Sequence, residues 1–413
     1  MTETRRAAPS RITGAILLCL SFAAGTAAVW LWHGRWRLLL PVWAATMAAT
    51  VAGAALLGRV APGAPAEAAT TERSRRLRLG ALAGCLAVAL FFRLHRIGSV
   101  PPGIFVDETN SGLDALRILE GADVSPFGVG WFETPSLYAY YMATLFAAGG
   151  AGFAMLKLAS LLPAALTVAL LHPFARPLFG ARAALLATLL LAVSRWHVTL
   201  SRWGWNELMP PLFQLLATGI LLRALVTGRA AHFVLAGLAL GLCMYTYLAS
   251  RLVVAVIAAW VAWRAVFERG FFRRNAGGLL LFTLSYLLCF APLLATYAKD
   301  PFTFLHRSQQ VSILRDVERA GSWAPLLENA GRHLLMFHVA GDRNPRHNLP
   351  GRPMLPLPSG FLLLVGLAIA LRQLPDLRFA LLLLWIAITL QGGILSSLDE
   401  GPQAYRTLGV VPA

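Results

Sequence analysis

The sequence predicts an all-α fold: a polytopic transmembrane bundle of about eleven spans, with interfacial helices in its first large extracytoplasmic loop. Three observations predict it. Of 413 residues, 57% are hydrophobic and only 13% charged, and a mean hydropathy of +0.64 lies outside the range of soluble globular domains. Apolar runs of roughly 20 residues, enough to cross a ~30 Å hydrocarbon core, recur with almost no charge inside them. The arginines gather in short connections between those runs, where they set membrane orientation.

The spans are expected near residues 13–32, 39–58, 79–96, 153–173, 180–199, 205–226, 231–248, 251–268, 277–298, 359–371 and 379–398. The first has the basic start and apolar stretch of a signal peptide. That stretch is long and the run LLPVWAATMAATVAGAALLG follows at once, so a retained helix is expected. GRVAPGAPAEAATTERSRR, residues 58–76, reads as a flexible cytoplasmic linker. It divides the chain into a two-helix membrane extension with its linker, 1–78, and a membrane core, 79–413.

With the N-terminus inside, the cytoplasmic side receives Arg5, Arg6 and Arg11, then Arg59, Arg73, Arg75, Arg76 and Arg78. Arg176, Arg182, Arg223, Arg229, Arg264, Arg269, Arg273, Arg274, Arg372 and Arg378 follow on the same side. This requires PSLYAYYMATLFAAGG, residues 135–150, not to cross, since one more span would invert every later loop. Its short length and its tyrosines at one end suit an interfacial helix. Two outer loops, 97–152 and 299–358, are long and rich in polar, Pro and Gly residues, and chemistry is expected there.

A net charge of +17 would suggest nucleic acid in a soluble protein, but here the cations serve topology, so no nucleic-acid partner is expected. Cys19, Cys85, Cys243 and Cys289 all lie in apolar runs without CxxC spacing, which leaves disulfide, zinc and redox readings unsupported. His333, His338 and His347 are too loosely spaced to predict a metal site, and FAAGGAGF lacks the lysine of a nucleotide-binding loop.

The stretch PPGIFVDETNSGLDALRILEG places Asp107 and Glu108 just beyond the third span. Either the acids complement a helix N-terminus, with Thr109 or Asn110 as cap, or one of them is a general base at the membrane surface. Lys157, Arg195, Arg202 and Arg251 break the orientation rule by lying at outer boundaries. They either snorkel within an aromatic belt of Trp196, Trp203 and Trp205 or hold an anion there. A phosphate with its tail in lipid, beside a carboxylate facing water, is the arrangement that a polyprenyl-phosphate sugar donor requires.

At these residues the chain resembles a known family. VDETNSGLDALRILEG, FETPSLYAYYMATLF, LKLASLLPAALTVALL, PLFGARAALLATLLLAVSRWHVTLSRWGWNEL and GLCMYTYLASRL look in order like the GT-C membrane glycosyltransferases. Within these they are nearest the bacterial branch related to protein O-mannosyltransferases and lipid A aminoarabinose transferases. The resemblance covers residues 79–260, and more loosely GDRNPRHNLPGRPML at 341–355. It implies inverting transfer from a lipid-linked sugar on the extracytoplasmic side of the cell membrane, to a glycan, lipid or protein acceptor. Asp107 would be the catalytic base and Glu108 its partner, with Lys157, Arg202, Arg251 and Arg195 on the donor phosphate. Glu133, Tyr138, Asn206, Arg346, His347 and Asn348 would contact sugar or acceptor. No metal ligand is assigned and no cofactor is required beyond the lipid-linked donor, with the need for a divalent cation left open.

Two features depart from the pattern. Thr134, Pro135, Ser136 and Leu137 stand where the family has lysine or histidine, two prolines and leucine, which leaves Glu133 as the nearest charge; Lys157 stands where arginine is common. The chain stops at YRTLGVVPA, so it is either a short member or a truncated one. The alternative function is a transporter or flippase of lipid-linked saccharides, which would place charge deep within spans or break helices at the midplane.

Overall fold

The computed structural model describes the backbone of residues 2–63 and 72–413 and the side chains of 10–63 and 76–413. The linker's centre, 64–71, and the side chains of Arg5, Arg6, Arg73 and Arg75 lie outside the described residues. Every described regular element is a helix. The hairpin α1 (Thr2–Trp32) and α2 (Trp36–Leu57) leads to α3 (Glu72–Leu94), after which α4 (Val106–Leu119) and α5 (Leu137–Gly149) form the first large loop. The bundle continues through α6 (Phe153–Val193), the short α7 (Arg195–Leu200), α8 (Met209–Thr227), α9 (Ala230–Cys243), α10 (Ser250–Phe267) and α11 (Phe271–Lys299). A second loop holds α12 (Pro301–Gln310), α13 (Leu314–Ala320) and α14 (Ala324–Leu335), and α15 (Leu357–Arg372) and α16 (Leu377–Ile394) return to the bundle.

Among the described residues, eight helices are long and apolar enough to cross a membrane, and α9 and α15 are shorter apolar helices. Each of the eleven expected spans falls on one of these ten, because α6 carries two. A straight helix of 41 residues would run about 60 Å. Both ends of α6 instead reach one end of the bundle. Near its start, Lys157 binds Glu108, and Ser160 donates to the carbonyl of Trp205. Near its finish, the Ala192 carbonyl accepts from Arg93, whose own carbonyl accepts from Arg202. The chain reverses at Gly180, which sits at φ 84°, a left-handed value that glycine reaches without a Cβ clash.

The arginine-rich connections gather at the opposite end. Ala230 N donates to the Gly58 carbonyl, Arg378 donates to the Leu178 carbonyl, and Trp260 donates to the Leu377 carbonyl. The two-helix extension is not a separate body, since Leu39 and Trp43 of α2 share a core with Val234, Leu238, Cys289 and Leu293 of α9 and α11. Trp43 Nε1 fixes that contact by donating to the Cys289 carbonyl at 3.0 Å. At 13 residues, α5 is too short to span, and it packs on α4 and the start of α6.

The segment after α16 turns back into the bundle. Trp385 donates to the Gly409 carbonyl at 2.7 Å and Trp196 to the Ala404 carbonyl at 2.9 Å. Asp342 Oδ2 ties this segment to the second loop by accepting from Ala404 N, also at 2.8 Å from His347 Nδ1.

Candidate active site

At the end of the bundle away from the arginine-rich connections, a cleft of about 980 Å³, counted to its open mouth, lies where the segment leading into α8 and the first turn of α10 meet α4 and α12. Asp107 and Ser111 form one wall, and residues 131–135 form the next. Trp205, Asn206 and Glu207 make the floor, and Arg251, Arg307 and Arg406 bring three guanidinium groups from three separate segments. These three guanidinium groups share the cleft with three carboxyl groups, Asp107, Glu133 and Glu207, so it offers both charge-assisted donors for an anion and carboxyl acceptors.

Asp107 lies in the first turn of α4, half-buried. Burial raises its pKa above the ordinary 3.8, while the nearby charges of Arg346 and Arg307 pull it back down. Glu108, one residue on, points the other way and is fully buried. Its Oε1 accepts from Lys157 Nζ at 2.6 Å and from Gly204 N at 2.5 Å, and its Oε2 accepts from Phe105 N at 2.8 Å. That last bond is the carboxylate half of a capping box, so Glu108 fixes the start of α4 and thereby aims Asp107.

The cations chosen from sequence divide. Of the four, only Arg251 lines the cleft, stacked 3.6 Å over the Phe304 ring and bonded to Ser308 Oγ at 3.2 Å. Lys157 is fully buried, with its ammonium spent on Glu108 and lying over the rings of Phe153 and Trp203. Arg202 donates to the carbonyls of Phe92, Arg93, His95 and Val100, and so ties the end of α3 to the loop before α8. Arg195 donates to the Pro353 carbonyl. The structure therefore gives Lys157, Arg202 and Arg195 structural partners in place of the phosphate contact read from sequence.

Of the residues read as sugar or acceptor contacts, Glu133 and Asn206 line the cleft. Phe132 and Glu133 both hold φ 53°, and Glu133 Oε1 accepts from His306 at 2.8 Å. Such left-handed non-glycine residues cost energy and cluster at ligand sites. Asn206 donates to the Thr246 carbonyl at 2.7 Å. Arg346 stands outside the lining, 3.8 Å over the Phe105 ring, close enough to bear on Asp107. Tyr138 lies beneath, its hydroxyl 3.4 Å from the Gly204 carbonyl.

His347 and Asn348 are likewise removed from the cleft, because they hold the second loop closed. His347 bonds Asp342, and the Asn348 amide donates to the Asp342 and Arg352 carbonyls. His333 accepts from Gln403 N and its other nitrogen bonds the Asn329 carbonyl, while His338 bonds the Gly360 carbonyl. Each histidine thus has its own local partner.

Glu207, Tyr247, Arg307, Tyr405 and Arg406 line the cleft without having been singled out from the sequence. Arg307 carried a signal, since it lies four residues, about one turn, from Thr303 on an amphipathic helix. Arg406 carried none: it follows the last apolar run in a stretch without periodicity.

Comparisons with known proteins agree with this architecture. Residues 133–295 match the family model described as dolichyl-phosphate-mannose-protein mannosyltransferase. The structure of ArnT from Cupriavidus metallidurans bound to undecaprenyl phosphate superposes with a TM-score of 0.54 at 16% identity, over 83% of this chain and 59% of that one. The fold is that of the GT-C membrane glycosyltransferases. The apo oligosaccharyltransferase from Archaeoglobus fulgidus gives 0.53 at 15% identity, over 83% of this chain and 50% of its own. This chain thus spans less than two thirds of the length of the structures it matches. A search of curated protein sequences returned no match. Within this fold, Asp107 and the cleft it borders stand at the loop end of the bundle, away from the arginine-rich connections.

Proposed function

We propose that the protein is an integral membrane glycosyltransferase that moves a sugar from a polyprenyl-phosphate carrier to an acceptor hydroxyl. One observation carries the reading: a half-buried carboxylate, Asp107, faces a cleft whose other walls bring together Arg251, Arg307 and Arg406. The undecaprenyl phosphate held by the similarly folded ArnT supports a lipid-linked donor. The arginine-rich connections at the far end support a cleft that opens on the extracytoplasmic face of the cell membrane.

In this reading the acceptor oxygen attacks the sugar's anomeric carbon from the side opposite the phosphate, and the configuration inverts. The hydroxyl proton passes to an Asp107 oxygen as the new carbon–oxygen bond forms. The anomeric carbon–oxygen bond to phosphate breaks, and the leaving phosphate keeps the electron pair. Arg251, Arg307 and Arg406 stabilise that negative charge, each in fixed orientation and partly screened from water. Glu108 and Lys157 act through position alone, by holding the first turn of α4. Asn206 and Glu133 stand where the sugar or the acceptor would lie.

The test is transfer from radiolabelled polyprenyl-phosphate sugar in membranes that contain the protein. Loss of transfer in Asp107→Asn, with the protein still folded, supports the assignment; undiminished turnover refutes it. Labelled lipid that crosses between leaflets unconsumed would instead favour a flippase.

A further inference from the structure

Behind the cleft floor lies a second, smaller chamber. Glu207, Tyr247, Tyr405 and Arg406 belong to both spaces and form the partition between them. Gln214 of α8 closes the far side, fully buried one turn below Pro210. The chamber has room for a single water-sized group.

Four polar atoms on its walls have no hydrogen-bond partner among the described residues: Gln214 Nε2, Gln214 Oε1, Arg406 Nη1 and Glu207 Oε2. Arg406 is 8% exposed and Gln214 0%. The rest of Arg406 is occupied, with Nη2 2.9 Å from Glu400 Oε2 and Nε donating to the Tyr405 hydroxyl at 3.1 Å. Each such orphan carries a desolvation penalty unless it finds a partner, and an apolar side chain at 214 would avoid the two on glutamine.

The chemistry of the orphans selects the visitor. Two are donors on Gln214 and Arg406, and two are acceptors on Gln214 and Glu207. A carboxylate could only accept and an ammonium could only donate, so neither satisfies both kinds. A hydroxyl group does both and matches the size, whether it belongs to a sugar or to a water that a sugar hydroxyl would displace.

Resting on the glycosyltransferase reading, we propose that this chamber is a specificity subsite that takes one hydroxyl of the donor sugar, read by Gln214 and Arg406 with Glu207 as acceptor. The sugar enters from the cleft through the partition, with its phosphate left among the guanidinium groups. A donor that lacks that hydroxyl leaves the chamber's polar atoms unpaired and binds more weakly.

The experiment measures binding to protein in nanodiscs. Its probes are undecaprenyl phosphate, its mannosyl, glucosyl and galactosyl derivatives, and the monodeoxy forms of each. The wild type should bind one deoxy form about tenfold more weakly than its parent. Gln214→Leu should abolish that one discrimination, leave affinity for sugarless undecaprenyl phosphate unchanged, and melt no lower than wild type. Equal binding of every deoxy form, or a Gln214→Leu variant weakened equally toward sugarless lipid, overturns the subsite while the carrier-lipid reading stands. No binding of any of these lipids by the wild type overturns both.

Discussion

Asp107 and Glu108 leave the same helical turn in opposite directions, one toward an open cleft and the other into a sealed knot with Lys157 and Gly204. The knot has no spare valence: Glu108 accepts three hydrogen bonds, and the Lys157 ammonium is enclosed by Glu108 and two aromatic rings. The cleft is the reverse, because among the described residues Asp107 makes no hydrogen bond there. Satisfied charge builds the frame, and unsatisfied charge lines the cleft. A like division separates Arg202, spent on four carbonyls, from Arg251 on the cleft wall.

The contrast breaks most sharply at Asp107. Asp107→Asn should lower sugar transfer by roughly 10²- to 10⁴-fold, the usual range for a lost general base. Its thermal midpoint at neutral pH should hold or rise. The sign follows from the raised pKa. Folded Asp107 keeps its proton to higher pH than the unfolded chain does, so its stabilising contribution is present at low pH and is lost as pH rises through the folded value. Asparagine removes that cost. A midpoint that falls with the activity would merge the two acids into one structural role.

Lys157→Met tests the other side. It leaves the Glu108 carboxylate buried without its cation, and about 3–5 kcal/mol of stability should go. Adding Glu108→Gln should restore part of it, as read by thermal unfolding in detergent. If Lys157→Met instead melts as wild type and only raises the donor KM, the lysine belongs with the phosphate after all.

Smaller effects sharpen the boundary. Arg251→Gln and Arg307→Gln should each raise the donor KM roughly tenfold, the worth of one charge-assisted hydrogen bond, in transfer assays at varied lipid concentration. Last, wild-type transfer should fall on acidification at a pH above 3.8, since burial holds the Asp107 proton past the ordinary carboxylate value. A rate profile whose acid limb stays at 3.8 or lower would remove the base from the half-buried site.

Most of the bundle was legible because span length is a one-dimensional property: each apolar run found its helix, and the two that share α6 are parted by Gly180. The acid pair was legible as well, since its place after α3 is local. Which cation serves the cleft was not. Lys157, Arg195 and Arg202 looked alike as misplaced charges at an outer boundary, and only tertiary contacts with Glu108, Pro353 and the end of α3 distinguish them from Arg251. His347 and Asn348 looked like site residues by type, yet they serve Asp342 and the closure of the second loop. Arg406 escaped notice because its role arises from a backward turn that no periodicity announces.

That backward turn sets an order of assembly. Asp107 emerges from the ribosome early, whereas Tyr405 and Arg406, which close the opposite wall, are made only after α16. Until they arrive the nascent protein holds its carboxylate beside an open trough, so a chain halted before residue 405 would carry all sixteen described α-helices and still lack one wall of the cleft.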